Sequence, residues 1–208
     1  MKNTFITCSL ILFLLLLQGW TLHAQRFTGG LSAGLIASQV DGDTYKGYDK
    51  AGITAGGWVN LSMNDHSAFQ AGLNYIQKGS RHNPDYDKGD NNFLLIRLGY
   101  VEMPLLYQYH MKNRFYLEIG PSIGVLLHSY TKTYGTNWGI LADNTFHILD
   151  ISANFGLGYR YSDRLKIGLR NGNSLISIRK ERVTGDRYRL WGYGQYNNLL
   201  ALELMYRL

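Results

Sequence analysis

Apolar and polar side chains alternate with a period of two along most of the chain. Segment 51–61 is the clearest case. Its odd-numbered positions carry apolar residues such as Ile53 and Val59, and its even-numbered positions carry residues such as Thr54 and Asn60. Successive side chains of a β-strand point to opposite faces, so this period predicts strands that are apolar on one face only.

Eight segments have this strand pattern, and no segment has a convincing helical period. The predicted strands are 26–38, 51–61, 68–78, 93–109, 115–127, 149–161, 165–175 and a last segment that reaches Leu208. The long connections are roughly 39–50, 79–92, 130–145 and 176–194, and the short ones are about 62–66, 110–113 and 162–164. Long and short connections alternate, which predicts an all-β fold: an eight-stranded antiparallel up-and-down transmembrane β-barrel.

The polar face of the predicted strands distinguishes a membrane barrel from a soluble, lipocalin-like barrel. A soluble barrel has its apolar face inside, whereas a membrane barrel has that face in lipid and its polar residues in the lumen. The polar face here mixes acids and bases. Its candidates for ion pairs in the lumen are Glu102, Glu118, Asp150, Arg160, Lys166, Arg170, Glu203 and Arg207. Eight strands leave an interior that side chains fill, so we expect an ion-paired plug in place of a pore.

Aromatic residues lie near the ends of several predicted strands. The candidates for an aromatic girdle at the membrane interface are Tyr75, Tyr107, Tyr109, Phe115, Tyr159, Tyr161 and Tyr206. Ordinary β-propensity is the alternative explanation for these residues. The alternating apolar residues that run to Leu208 resemble the C-terminal signal read by the barrel assembly machinery, so we expect that machinery to be a partner during biogenesis.

The first 24 residues have the features of a signal peptide. Lys2 supplies a positive charge, 10–17 is an apolar run, and Ala24 is a small residue at the expected cleavage point. The sequence predicts cleavage after Ala24 and one barrel domain over 25–208. The single cysteine, Cys8, lies inside the signal segment, so we expect no disulfide and no thiolate metal site in the barrel.

Composition narrows the expected partners. The chain has 16 Tyr, 24 Gly and 3 Pro, as expected for strands with one apolar face. The net charge of +6 is too dispersed to favour nucleic acid as a partner. Basic residues suit anionic headgroups, so the expected partners are outer-membrane lipid and lipopolysaccharide of a Gram-negative cell.

Several motifs resemble the PorT-like outer-membrane β-barrel family of the Bacteroidetes group. They are the stretch 100–106 with Tyr-x-Glu-x-Pro-Leu-Leu, the Gly-Pro stretch 120–127, the Gly-x-Gly-Tyr strand 150–159 with its return strand 165–178, and the Gly-rich opening at 30–34 and 52–57. The chain departs from the family pattern at Leu208, where Phe is usual, and at 173–174, where Gly-Leu is common. The resemblance implies an eight-stranded barrel and, through the founding member, an accessory role in type IX protein secretion.

Two pairs of residues are candidates for catalysis of the kind found in lipid-modifying barrel enzymes. His128 with Ser129, and His147 with Asp150, lie near the ends of predicted strands. A rim histidine bonded to loop residues is the favoured interpretation of each.

Two acidic clusters are candidates for calcium. They are Asp41-Gly42-Asp43 and the group Asp85, Asp87 and Asp90. Loop polarity is the favoured interpretation of both, because the first cluster lacks the acidic partner that completes a calcium loop. The sequence therefore predicts a non-enzymatic outer-membrane barrel without cofactor, catalytic residue or metal ligand, and with long loops for surface interaction.

Overall fold

The computed structural model describes residues 26–133, 145–180, 185–190 and 192–208. The predicted signal peptide and its cleavage site lie outside this part of the chain. Among the described residues, no helix has the length and apolar character needed to cross a membrane.

Eight long strands close into one barrel, as the sequence predicts. Each strand pairs antiparallel with its neighbour along the chain, and the first strand pairs with the last to close the sheet. The strands are β1 (Arg26–Asp41), β2 (Lys50–Ser62), β3 (Ser67–His82), β4 (Leu94–His110), β5 (Phe115–Thr133), β6 (Leu149–Arg160), β7 (Leu165–Ser174) and β10 (Tyr196–Arg207). Closure pairs both edges of each long strand across the body of the barrel, which is the condition for a sheet in lipid.

A short hairpin lies in the connection between β7 and β10, where the sequence pattern predicts only a long connection. Its strands are β8 (Arg187–Arg189) and β9 (Gly192–Gly194). A single 3₁₀ turn (Tyr86–Lys88) lies in the connection between β3 and β4. Three-residue strands are too short to show a period of two, which is why the sequence pattern misses them.

The two ends of the barrel differ. At the short-turn end, tight turns join β2 to β3, β4 to β5 and β6 to β7, and the open ends of β1 and β10 lie there too. At the long-loop end, β3, β4 and β5 extend past the neighbouring strands, with pairing up to His82↔Leu94 and Leu94↔Thr133. The strands β3 and β5 therefore run beyond their predicted ends, because cross-strand pairing continues into segments whose polarity suggests loops.

The barrel is apolar outside and polar inside. The exposed exterior of the strands carries large apolar side chains, among them Leu31, Leu35, Ile53, Leu73, Ile119, Phe155, Leu157, Leu202 and Leu204. The buried interior carries polar and charged side chains, among them Asn60, Gln70, Lys78, Glu102, Gln108, Glu118, Asp150, Arg170 and Glu203. This is the inside-out arrangement of a membrane barrel, so the lipocalin-like alternative does not describe this fold.

One β-bulge changes the pattern in β5. Gly99 pairs with His128 while the next residue, Tyr100, pairs with Leu126, so Leu127 is an extra residue in the ladder. Leu127 and His128 are therefore both exposed, and Ser129 is buried. Beyond the bulge the outward positions of β5 change from odd to even numbers, which strict alternation cannot predict.

Candidate functional site

A buried charge cluster fills the lumen toward the long-loop end. The ammonium group of Lys78 forms ion pairs with Glu102 and with Asp150. Its nitrogen lies 3.1 Å from Oδ2 of Asp150. All three side chains are buried. Lys78 also lies over the ring of Tyr100, 5.2 Å from its centroid. The strands β3 and β6 are not neighbours, so the Lys78–Asp150 pair crosses the interior of the barrel.

Neutral donors surround the carboxylate of Asp150. Ser174 donates its hydroxyl at 2.6 Å, Asn197 donates its amide at 3.0 Å, and Ser152 donates at 3.2 Å. These bonds come from β6, β7 and β10. A buried carboxylate is tolerated when it is both paired and hydrogen-bonded, and Asp150 meets both conditions.

A second polar group lies closer to the short-turn end. Arg170 and Glu203, on neighbouring strands, form a buried ion pair at 2.8 Å. On the opposite wall, Gln108 donates to Glu118 at 3.0 Å and to Gln70 at 3.2 Å. The Lys78–Asp150 pair therefore crosses the lumen, whereas the bonds of this second group join neighbouring strands along the inner wall.

Three of the predicted lumen residues lie outside these groups. Lys166 is half-buried over the rings of Trp58 and Tyr116, at 5.1 and 5.5 Å. Arg160 is half-buried at the short-turn end, and Arg207 is exposed there. None of the three forms an ion pair with another described residue. Arg207 has the inward parity of β10 but stands at the end of the strand, beyond the enclosed part of the lumen.

Sequence reasoning missed Lys78, the central cation of the first cluster. The predicted third strand ends at this residue, and the apolar Ile76 interrupts the polar face just before it. Extending the even-numbered inward positions by one step would have found Lys78. Its partners across the barrel could not be found in this way, because they depend on closure.

Most of the predicted girdle lies near the short-turn end, on the outer surface. Phe115 and Tyr159 contact one another with ring centroids 5.0 Å apart, and Tyr107 contacts Phe69 at 5.4 Å. The exposed rings of Tyr109, Tyr161 and Tyr206 lie at the same end. Tyr75 differs, because it lies in the middle of β3 and its ring stacks on His128 at 6.2 Å. It is not a member of this group.

The two candidate catalytic pairs are not assembled. His128 is exposed on the outer wall whereas Ser129 is buried, because consecutive residues of β5 point to opposite faces. His147 is exposed in the approach to β6, whereas Asp150 is buried in the lumen with Lys78. Neither histidine therefore lies beside its expected nucleophile or acid.

The acidic loop clusters are divided among protein partners. Asp41 binds Arg189 at 2.9 Å, Asp85 binds Lys88 at 2.7 Å, and Asp90 binds His82 at 2.6 Å. Hydrogen bonds from the backbone of Asn92 and from His82 hold the pKa of the Asp90 carboxyl below its usual value. Within the described ranges, no group of three or more acidic, histidine or cysteine side chains is placed to hold a metal ion.

Asp43, in the first acidic cluster, is buried in the connection between β1 and β2. Its carboxylate accepts a hydrogen bond from the backbone of Tyr45 at 3.0 Å. Burial raises the pKa of this carboxyl above its usual value, and the hydrogen bonds oppose that rise. The carboxylate of Asp43 thus stabilises the turn at residues 43–45 by accepting a backbone hydrogen bond.

Arg189 anchors the β8–β9 hairpin to the mouth of the barrel. Its guanidinium donates to Asp41 at 2.9 Å, to Asn198 at 2.7 Å and to the carbonyl of Ser174 at 2.8 Å. It also lies 4.7 Å from the ring centroid of Tyr196. The hairpin is therefore tied to β1, β7 and β10 by one side chain.

The outer side of the hairpin carries apolar groups. Tyr188, Leu190 and Tyr193 are exposed, and the two tyrosine rings contact one another at 5.1 Å. This apolar tip stands on a rigid support at the long-loop end.

An inside-out, closed barrel of eight strands defines the class of outer-membrane β-barrel proteins. The family described as "Outer membrane protein beta-barrel domain" matches residues 23–180. The chain belongs to this family. The family is broader than the PorT-like group, so the narrower resemblance stays a prediction.

The chain is similar to solved structures at low sequence identity. Neisserial surface protein A (NspA) is 8% identical, with a TM-score of 0.54 over 88% of this chain and 100% of that chain. Ail, the attachment invasion locus protein of Yersinia pestis, is 11% identical, with a TM-score of 0.48 over 88% of this chain and 99% of that one. The likeness to NspA is one of fold. No curated protein matches the chain.

Proposed function

We propose that this outer-membrane barrel is a non-enzymatic surface-recognition protein whose long-loop end faces the outside of the cell. The anchored hairpin with its exposed apolar tip is the observation that carries the proposal. Exposed Tyr188, Leu190 and Tyr193 form a contiguous apolar patch, and such patches mark sites of interaction. Loops held by a rigid scaffold are the usual place for such recognition.

The orientation is tested by cysteine labelling in intact cells. Leu190→Cys places a thiol on the hairpin, and Asp163→Cys places one in the turn between β6 and β7. A membrane-impermeant maleimide is expected to label the first variant and to spare the second until the outer membrane is broken. The opposite labelling pattern would refute the proposed orientation.

Recognition is tested by adherence. Bacteria that produce the wild-type chain are compared with a Tyr188→Ala/Tyr193→Ala strain for binding to cultured epithelial cells and for self-aggregation. We expect adherence above that of a deletion strain for the wild type and its loss in the double variant. Tyr161→Ala is the matched control, since Tyr161 is 64% exposed and Tyr188 is 66% exposed, but at opposite ends. Equal adherence of the wild-type and deletion strains in both assays would count against recognition.

The side-chain-filled lumen supports a structural role for the barrel. In the two bonded groups of the lumen, the charged side chains form ion pairs with one another, so they do not line an open channel. We expect the purified barrel to give no steady ion conductance in planar bilayers. A stable conductance of porin size would show that the lumen is open.

An accessory role in type IX secretion stays a prediction of the PorT resemblance, and no described contact adds to it. Deleting the gene and comparing the secreted proteins tests this role. Loss of exported proteases from the medium would favour it, and an unchanged set of secreted proteins would rule it out.

A further inference from the structure

A cleft opens at the long-loop end of the barrel, lined by exposed residues such as Arg97 and His128 and by buried ones such as Lys50. Its volume is about 680 Å³, and it lies over the ends of β2, β3, β4 and β5. Pairing between β2 and β3 ends at Thr54↔Ile76, whereas pairing between β3 and β4 continues to His82↔Leu94. Regular pairing of β2 with β3 therefore stops at this edge of the cleft, although Gly52 still lies against Gln77 and the side chain of Lys50 against Gly79.

Two cations line this cleft without an acidic partner. Lys50 is only 5% exposed, and Arg97 is exposed beside it. Neither the ammonium group of Lys50 nor the guanidinium of Arg97 pairs with any residue in the described part of the chain. Every other buried cation of the described chain, Lys78 and Arg170, has its carboxylate. A nearly buried, unpaired lysine next to a second positive charge is unfavourable unless an anion neutralises the pair.

The cleft also contains an imidazole and a side-chain amide that can donate hydrogen bonds. His128 and Gln77 line it, and both contact the hydroxyl of Tyr75, at 3.5 and 3.3 Å. The β5 bulge turns His128 to this surface. Gly99 lets the imidazole lie flat against the wall, because any side chain there would overlap the ring. The bulge, the glycine and the two cations together build a concave site for a group with several acceptor oxygens.

The wall next to the cleft is apolar toward the middle of the barrel. Ile53, Met103 and Val125 are exposed there at outward positions of β2, β4 and β5. A ligand with an anionic head and long acyl chains matches both surfaces at once. A free anion matches only the first.

We propose that this cleft binds the phosphate of a phosphorylated glycolipid in the outer leaflet of the membrane. Arg97 and Lys50 bind the phosphate oxygens, His128 and Gln77 donate to the remaining acceptors, and the acyl chains lie on the apolar wall. The assignment to the outer leaflet rests on the proposed orientation of the long-loop end. The binding itself does not depend on what the hairpin recognises.

The proposal is tested with purified barrel in detergent micelles, using native mass spectrometry to measure binding of bis-phosphorylated lipid A. We expect Lys50→Gln and Arg97→Gln each to weaken binding about tenfold, the effect of losing one charge-assisted hydrogen bond. Arg81→Gln is the matched control, because Arg81 is an exposed cation at the end of β3 that does not line the cleft. It should bind like the wild type.

Two further ligands separate the possible sources of phosphate. Dephosphorylated lipid A should bind at least tenfold more weakly, and inorganic phosphate should not displace the lipid at equal concentration. Equal binding of the dephosphorylated lipid, or unchanged binding by both cleft variants, would overturn the proposal. Displacement by equimolar inorganic phosphate would overturn the lipid assignment. A heat-dependent gel shift confirms that each variant is a closed barrel, and the labelling test of orientation can fail independently.

Discussion

Replacing Lys78 by methionine tests how the barrel tolerates charge in its lumen. Methionine keeps the length and most of the volume of the lysine side chain but removes the ammonium group. The substitution leaves Glu102 and Asp150 buried without their cation. Asp150 keeps its hydrogen bonds from Ser174 and Asn197. The carboxylate of Glu102 has no hydrogen-bond donor other than Lys78 among the described residues.

The expected loss is large. Removing one member of a buried ion pair costs about 3–5 kcal/mol, because the remaining charge stays desolvated. Lys78 neutralises two carboxylates, so we expect the upper end of this range, about 5 kcal/mol of unfolding free energy at pH 7. The triple variant Lys78→Met/Glu102→Gln/Asp150→Asn removes all three charges. It should return to within about 1 kcal/mol of the wild type, since neutral groups of similar volume often replace buried ion pairs without loss.

The measurement is equilibrium unfolding in urea of barrel inserted in lipid vesicles, followed by tryptophan fluorescence. Trp58 lies in the lumen, so its emission reports on opening of the barrel when Trp138 and Trp191 are replaced by Phe in every variant compared. Lys166→Met is the matched control, because this half-buried lysine lies over the rings of Trp58 and Tyr116 and forms no ion pair with a described residue, so its loss should cost about 1 kcal/mol or less. The reasoning fails if Lys78→Met is as stable as the control, or if the triple variant is no more stable than the single one.

Three other outcomes are expected. Gly30→Ala should destabilise the barrel by about 1–3 kcal/mol, because a Cβ there would overlap the backbone of β10. Gly57→Ala should change the urea midpoint little, because its Cβ would make only an ordinary contact, 3.5 Å from the carbonyl oxygen of Gly30. Arg189→Leu should increase hydrogen exchange throughout the β8–β9 hairpin while the barrel midpoint stays constant, and unchanged exchange would show that other contacts anchor the hairpin. The Asp90 carboxyl has a lowered pKa in the folded protein, so its bond to His82 stabilises the β3–β4 loop above the ordinary carboxyl pKa, and this stabilisation is lost as the pH falls through the lower folded pKa. The variant Asp90→Asn should therefore show faster hydrogen exchange in this loop than the wild type at pH 6 and the same exchange at pH 2.

Much of the fold follows from local pattern. Alternation in the β2 region places Ile53 and Val59 outside and Thr54 and Asn60 inside, and the structure places them so. Connection lengths predict which ends of the strands carry loops. Both signals need only neighbouring residues, which is why the eight strands and their order could be predicted from one sequence.

The site residues needed information that the local pattern lacks. Whether Lys78 meets Asp150 depends on closure of the sheet and on the register of strands that do not touch. The bulge at Leu127 could not be predicted from the sequence, because Leu126 and Leu127 are both apolar and nothing in the pattern marks one of them as the extra residue. The cleft depends on where pairing between β2 and β3 stops, and apolar periodicity does not report that point.

The extra residue in β5 shifts the alternation of inward and outward side chains by one position along the strand. Deleting Leu127 would remove the bulge and make the pairs Tyr100↔Leu126 and Gly99↔His128 consecutive, so His128 would stay outside and Ser129 inside. A regular ladder that kept Leu127 would instead pair Leu127 with Gly99, turning His128 into the lumen and Ser129 toward the surroundings. The bulge thus divides β5 into two parts with different outward positions. The residues that face lipid fix the alternation in the lower part, whereas the outward side chains of the part nearer the loops can change independently of it.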